Sequence, residues 1–330
     1  MKHIGKLFLA LLLCSLCVLS ACDAGNVPEQ TTQAPTEAPT QAKTDEPTEA
    51  PTEAPTEQTT EQITEAPTEI ATEEETIVPN DGKPKKFFTL SFDDGITQDL
   101  RVIEILKKYN VTCISFNINT GLYGANWEWV GPAIGDPSIS HLRFTEEELK
   151  TGIYDGYEVL VHTLTHPSLK NYDKSAKKIK KEVDQDADNI EELTGVRPIG
   201  MAWPGGDTEY TDKTIELVLA NTGIRFARGT TSTYNFELPE YFMKWMPTCS
   251  IVDARCLTLA QQFIDAECTE DMLFYVWGHA YELDLNNEAG YATLEQLVKM
   301  ISEAEDVYLV TNTQFYNIYK DQIPSWKEAE

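Results

Sequence analysis

Seven short apolar runs mark the last three-quarters of the chain, at residues 87–92, 111–118, 157–161, 199–203, 224–227, 272–277 and 307–310. Each is four to eight residues long and rich in β-branched or aromatic side chains, which predicts buried strands. Between them lie segments of a different period. Residues 100–109 and 211–221 predict helices, and the clearest helix spans 173–194, where Ala176, Ile179, Val183, Ala187, Ile190 and Leu193 recur at three- and four-residue steps. Its lysines, Lys174, Lys177, Lys178, Lys180 and Lys181, are expected on a solvated face. Strands alternating with helices imply βαβ units and a parallel sheet. Residues 83–330 come close to the roughly 250 residues of one (β/α) barrel, so a single domain is expected there.

The first 82 residues follow neither period. Lys2, His3 and Lys6 precede an apolar run at 7–19, too short to span a bilayer and ordered like an export signal. Leu19-Ser20-Ala21-Cys22 resembles the lipobox of bacterial lipoproteins, which predicts a signal at 1–21 and a lipidated Cys22. Residues 22–82 then repeat themselves, with APTE beginning at Ala34, Ala50, Ala54 and Ala66. Frequent proline, no aromatic residue and acids almost unopposed by bases predict a disordered tether, holding the domain away from a membrane. The expected location is therefore extracytoplasmic, lipid-anchored at the cell surface.

The chain carries 26 basic and 54 acidic residues, a net charge of −28. The tether holds 15 of the acids and one base, Lys43, so half the charge of the mature protein reports on solvation and not on partners. The remainder is still acidic, which argues against a nucleic-acid binder, whose affinity comes from clustered Lys and Arg. Nothing calls for an oligomer, and a monomer is expected. Cys113, Cys249, Cys256 and Cys268 show no CxxC spacing. In an exported domain a bridge between Cys249 and Cys256, or from either to Cys268, stays open, while Cys113 is expected buried in mid-strand.

Chemistry gathers at the ends of predicted strands. The first runs into Asp93-Asp94-Gly95, two carboxylates where barrel enzymes place catalytic groups. The third ends in His162-Thr163-Leu164-Thr165-His166, two imidazoles at i and i+4, expected on one face of a helical turn and able to share a metal with a carboxylate. A late strand ends at Gly278-His279, with Glu282 and Asp284 nearby, either of which could orient the imidazole.

SFDDG at 91–95 followed by HTLTH at 162–166 resembles the polysaccharide deacetylase family, carbohydrate esterase family 4. The resemblance covers about residues 86–320 and implies a distorted (β/α) barrel that hydrolyses acetyl groups from a polysaccharide. It implies Asp93 as general base, Asp94, His162 and His166 as metal ligands, and His279 as general acid. Such a ligand set suits Zn²⁺ first, with Co²⁺, Ni²⁺ or Mn²⁺ as alternatives. The expected partner is an acetylated glycan, N-acetylated like peptidoglycan or chitin, with O-acetylated xylan the rival and a non-catalytic glycan-binding lipoprotein the alternative from another class.

The chain departs from the family at the third motif. Ala202 and Gly205 stand where an Arg and a Tyr are usual, in Ala202-Trp203-Pro204-Gly205-Gly206-Asp207. Arg228 is the candidate to replace the Arg that steadies Asp93, and the Gly205 N–H can still serve an oxyanion. Trp203 and Trp277 are expected as walls for a sugar ring. Residues 120–144 read as a long loop whose Tyr123, Trp127, Trp129 and His141 serve either packing or ligand contact.

Overall fold

The computed structural model describes Val78 and residues 81–327; the expected signal, Cys22 and nearly all of the expected linker lie outside them. In chain order the elements are β1 (Lys86–Asp94), α1 (Asp99–Lys108), β2 (Ile114–Ile118), α2 (Val130–Ala133), α3 (Glu146–Leu149), β3 (Glu158–Val161), α4 (Ala176–Thr194), β4 (Gly200–Ala202), α5 (Asp212–Asn221), β5 (Phe226–Arg228), β6 (Cys249–Ser250), α6 (Cys256–Asp265), β7 (Met272–Gly278), α7 (Leu285–Ser302), β8 (Val307–Leu309) and α8 (Asn312–Tyr319). Every strand pairing is parallel, in the order β5-β4-β3-β2-β1-β7-β6. β8 joins the first half of β1, pairing Lys86–Phe88, while β2 takes Leu90–Asp94.

The curled sheet makes a distorted (β/α) barrel. Its two edges approach through the segment leading into β6: Trp245 N–H donates to Ala227 O (3.1 Å) and Gly229 N–H to Trp245 O (3.0 Å), after which Cys249 pairs with Val276. β6 was not legible as a strand, because two residues carry no period. All seven predicted strands are present within a few residues. Cys113 falls just before β2, half-buried, and not in mid-strand. No disulfide joins Cys249, Cys256 and Cys268.

β1 is buried along its whole length, as the central strand of a sheet covered on both faces must be. Its side chains alternate between two environments. Phe88, Leu90 and Phe92 join the large core under the helices, with Ile179, Val183, Ala187 and Ile190 of α4. Phe87 belongs to a second cluster with Phe226, Trp245, Leu273, Phe315 and Tyr319 that plugs one end of the barrel. Lys177, Lys178, Lys180 and Lys181 of α4, and Lys174 just before it, are exposed, away from the core.

Thr89, Ser91 and Asp93, in step with Phe87, meet polar partners. Thr89 Oγ1 donates to Asn312 Oδ1 (2.8 Å), Asn312 Nδ2 to Tyr275 Oη (2.6 Å), and Ser91 Oγ lies 3.2 Å from the same phenol. Glu158 accepts from the Asn312 and Thr313 amides at the start of α8 (3.1 and 3.0 Å). A hydrogen-bonded column thus fills the barrel beneath the strand ends. Partnered in this way, its polar groups escape the cost of burial.

Asp99 is a buried acid of another kind. Its Oδ2 accepts from Tyr154 Oη (2.6 Å), while Oδ1 has no hydrogen-bond partner. Burial pushes its carboxyl up to about 8, against the Tyr154 bond. The folded state therefore keeps a proton that the unfolded chain releases near pH 4, and this contribution to stability is lost as pH rises toward 8. Asp99→Asn, which cannot ionise, should gain thermal stability relative to the parent progressively from about pH 4 to about pH 8 and hold a constant gain above that. Melting curves across pH read this directly; a difference independent of pH would contradict it.

Candidate active site

The side chains with chemical potential emerge at the C-terminal ends of parallel strands, the end barrel enzymes use. Asp93 and Asp94 close β1, His162 follows β3, Arg228 closes β5, and Trp277 and His279 flank the end of β7. All of these except Arg228 line a cavity of about 420 Å³ together with Trp127, Trp129, His166, Gly205 and Tyr281.

Asp94 is the centre. It is 4% exposed, and every histidine among the described residues aims Nε2 at its carboxylate. His162 and His166 face Oδ1 at 3.7 and 3.8 Å; His141 and His279 face Oδ2 at 2.9 and 3.8 Å. Arg143 Nη2 donates to Oδ1 (3.0 Å). Burial disfavours the carboxylate, but the His141 hydrogen bond and the charge of His279 outweigh it and hold the carboxyl well below its usual range.

One donor atom each from Asp94, His162 and His166 lies within 4.8 Å of the other two. His162 Nδ1 donates to Ala202 O (3.0 Å), which leaves the Nε2 lone pair toward Asp94. Burial pulls the His162 and His166 pKa values down, His166 to about 4 with help from His162, so both rings are neutral, the ligating form. Neutral nitrogens held 3.7–3.8 Å from a carboxylate oxygen, too far to hydrogen bond, suit a divalent cation between them.

The two histidines do not share a helical turn as their spacing predicts. Residues 162–168 are an irregular loop in which Thr163 and His166 adopt φ of 68° and 53°. The loop brings the ring centroids to 4.8 Å by local reversal instead. With Asp94 at φ 82°, three non-glycine residues of the two motifs sit in the left-handed region, each costing about 1–3 kcal/mol. Buried acids of α4 sustain the reversal. Glu182 accepts from Thr165 N–H (2.9 Å), and Asp186 from His162 N–H (3.2 Å) and Thr120 N–H (2.8 Å).

Asp93 is paired with Arg228, whose Nη2 bonds both carboxylate oxygens, and accepts from Asn117 Nδ2 (2.9 Å). Both partners are at most 2% exposed. Burial opposes ionisation, yet Arg228, His162 and His279 together lower the Asp93 pKa. The guanidinium also lies 4.6 Å over the Trp277 ring. His279 has Glu282 as its neighbour: Nδ1 is 3.3 Å from Oε2, out of hydrogen-bond alignment, and the His279 N–H donates to the same oxygen (3.1 Å). Burial would lower the His279 pKa, but Glu282 and the aspartates raise it to about 9. Asp284 instead accepts from Gln98 Nε2 (3.2 Å).

Gly205 and Gly206 turn the chain at φ of 71° and 79°, and a Cβ on Gly206 would meet Thr230 Oγ1 at 2.2 Å. Gly205 is exposed at the cavity. Trp203 touches the cavity but has no free face to offer a sugar: it is 1% exposed, stacked on Tyr210 (4.3 Å) and tied through Nε1–H to Met243 O (3.0 Å). Trp129, 63% exposed and 5.8 Å from Trp127, presents the open aromatic face at the rim. Arg143, Tyr281, Asn119 and Asp186 complete the surroundings without any signal in the motifs. Only the i, i+2 spacing of His141 and Arg143 hints that both point one way from an extended segment.

A buried carboxylate–diimidazole cluster able to hold a divalent cation, an arginine-paired acid and a carboxylate-paired imidazole thus gather around one cavity of a parallel (β/α) barrel. The family model of polysaccharide deacetylase matches residues 80–227, which include Asp93, Asp94, His162 and His166 but stop short of Arg228 and His279. No curated protein matches the chain in sequence. Among solved structures, the Xyl-CE4 domain of a multidomain xylanase from the hindgut metagenome of Trinervitermes trinervoides is 17% identical, covering 74% of this chain and 95% of that one at a TM-score of 0.43. A family 4 acetyl xylan esterase from Clostridium thermocellum, in complex with cobalt, is 15% identical over 72% and 93% of the chains at 0.43. A CE4 family pseudoenzyme from Bacillus anthracis is 18% identical over 70% and 65% at 0.42.

Removing Arg228 leaves Asp93 as an unpaired buried charge. Arg228→Met should cost about 3–5 kcal/mol in denaturant unfolding at neutral pH. The loss should shrink in Asp93→Asn/Arg228→Met, where no carboxylate is stranded; equal losses in the two would break the assignment of the pair.

Proposed function

We propose that this protein is a metal-dependent deacetylase that hydrolyses acetyl groups from an N-acetylated polysaccharide. One observation carries the reading: the Arg228-paired Asp93, the Asp94/His162/His166 cluster and the Glu282-paired His279 all face one cavity. The family match over residues 80–227 supports carbohydrate deacetylation in general.

Asp94, His162 and His166 would hold the cation, with Zn²⁺ the metal proposed. A divalent cation there supplies Lewis acidity to water and to an acyl oxygen. Asp93, kept ionised and fixed by Arg228 and Asn117, takes the proton of the attacking water. The N–H of Gly205, a residue exposed at the cavity, would donate to the oxygen that gains charge as the acetyl carbon becomes tetrahedral. His279, its charge balanced by Glu282, protonates the departing nitrogen. Trp129, Trp127 and Trp277 give the glycan aromatic surface beside these groups. The lipobox-like tetrapeptide and repetitive tether support a domain carried outside the cell, lipid-anchored through Cys22 at its surface.

Acetate release from chitooligosaccharide, peptidoglycan and acetylxylan tests the substrate class. The N-acetylated glycans should be the better substrates; release from xylan alone would overturn the amide preference. Asp93→Asn should reduce kcat by at least about 100-fold with zinc binding retained. Acetate release surviving that change would remove the base. For the anchor, Cys22→Ala should move the chain from the membrane to the soluble fraction in the producing cell, and continued membrane retention would refute it.

A further inference from the structure

The excursion between β2 and β3 enters the site in a way that no motif announces. Its two limbs form a short antiparallel ribbon: Asn126 bridges Leu142, Trp127 N–H donates to His141 O (3.1 Å), and Arg143 N–H donates to Ala125 O (3.0 Å). The returning limb is fastened to the chain just after the two aspartates. Ile96 bridges Arg143, Thr97 N–H donates to Leu142 O (2.8 Å), and Phe144 N–H donates to Gly95 O (3.2 Å). Alternate residues of an extended segment share a face. His141 and Arg143 therefore both turn onto Asp94 at 1% exposure, while Leu142 between them is 38% exposed.

We propose that His141 and Arg143 are positioning residues that fix the Asp94 carboxylate for the cation, so that this excursion sets the metal affinity of the Asp94/His162/His166 cluster. The proposal rests on the metal-dependent reading above. Each carboxylate oxygen has its own donor: Arg143 Nη2 on Oδ1 (3.0 Å) and His141 Nε2 on Oδ2 (2.9 Å). Guanidinium groups only donate. Because Arg143 Nη1 lies 3.4 Å from His141 Nδ1, that nitrogen is the acceptor and Nε2 carries the proton given to Asp94.

The same guanidinium reaches the other motif. Arg143 Nη2 also donates to Asn119 Oδ1 (3.2 Å), and Asn119 Nδ2 donates to the carbonyls of His162 (2.6 Å) and Thr163 (2.9 Å). Asp94 and the loop carrying both histidines are thus tied through one nitrogen. Trp127 keeps the clamp rigid, lying parallel to His141 (5.4 Å, 9°) and under the Arg143 guanidinium (4.0 Å). Rigidity matters because Asp94 occupies a left-handed backbone conformation that it would otherwise leave.

Two effects of opposite sign compete at Arg143. Its charge draws on the carboxylate and disfavours a cation, while its hydrogen bond orients the ligand and favours one. Burial of the whole network and its ties to both motifs decide for orientation. Loss of partners that orient a metal ligand commonly weakens binding by about 10–100-fold.

The test is the zinc Kd of the full-length protein, by competition with a chromogenic chelator, alongside the Tm of the metal-free protein. His141→Phe keeps the ring stack on Trp127 and removes the N–H donor. It should weaken zinc by about 10–100-fold with little change in metal-free Tm. His141→Gln, which restores an N–H, should recover most of the affinity, and Arg143→Met should weaken zinc in the same range. If His141→Phe does not fold, Arg143→Lys decides, and it too should bind zinc more weakly because it keeps the charge but loses the fork. Zinc binding by a folded variant as tight as or tighter than the parent's would overturn the proposal, as would equal weakening in His141→Phe and His141→Gln. A parent protein that binds no zinc would instead defeat the metal-dependent reading, and this proposal with it.

Discussion

A carboxylate buried at the mouth of the barrel is the constraint to which the rest of the site answers. Moving an ion of that size out of water costs several kcal/mol even after relaxation. Asp94 is 4% exposed, and the fold meets that cost with hydrogen bonds from His141 and Arg143 of the ribbon and with the nearby His279 after β7. Asp93 beside it is a second buried anion with its own separate cation, Arg228. Each buried carboxylate thus has its own set of donors, so the two adjacent aspartates sit in different environments.

Strain and polarity in the mouth are sustained from below. The plug of Phe87, Phe226, Trp245 and Phe315 closes one end of the barrel, and the Thr89–Asn312–Tyr275 column carries hydrogen bonding up from it toward Asp93. α4 shows the same division of labour along one helix. Ile179, Val183 and Ile190 pack into the core, while Glu182 and Asp186, on the same buried side, hold the backbone of the histidine loop in a shape its residues would not choose alone. Left-handed residues persist only where surrounding structure over-determines them, and these acids are that structure.

Legibility in the sequence followed periodicity. β1, β3, β7 and α4 are long enough for their period to show, and the residues at the ends of those strands could be singled out as chemical. β6 has two residues and no period, so the closure of the barrel was invisible. The histidine pair was found through helical spacing, yet the structure joins the two rings by a loop with positive φ; proximity was right and its geometry was not. Trp203 looked like a wall because it neighbours a motif, whereas its indole belongs to the core. His141 was one of five histidines with nothing to rank it, and Arg143 had no signal except its distance of two from His141. Tertiary register placed them on Asp94, and register between a loop and a strand end leaves no trace in local pattern.

The site is therefore encoded in two ways that differ in how they can change. The aspartates and the histidine pair sit at fixed offsets from the ends of barrel strands β1 and β3. The ribbon of His141 and Arg143 belongs to a loop, which tolerates insertion and replacement far better than a strand. Yet this loop is fastened to Gly95, Ile96 and Thr97, so any change in its length moves donors that sit about 3 Å from the metal-type carboxylate. It also carries Trp127 and Trp129 to the cavity. A single excursion thus couples the aromatic rim of the cavity to the anion that would hold the cation, and neither can drift without the other.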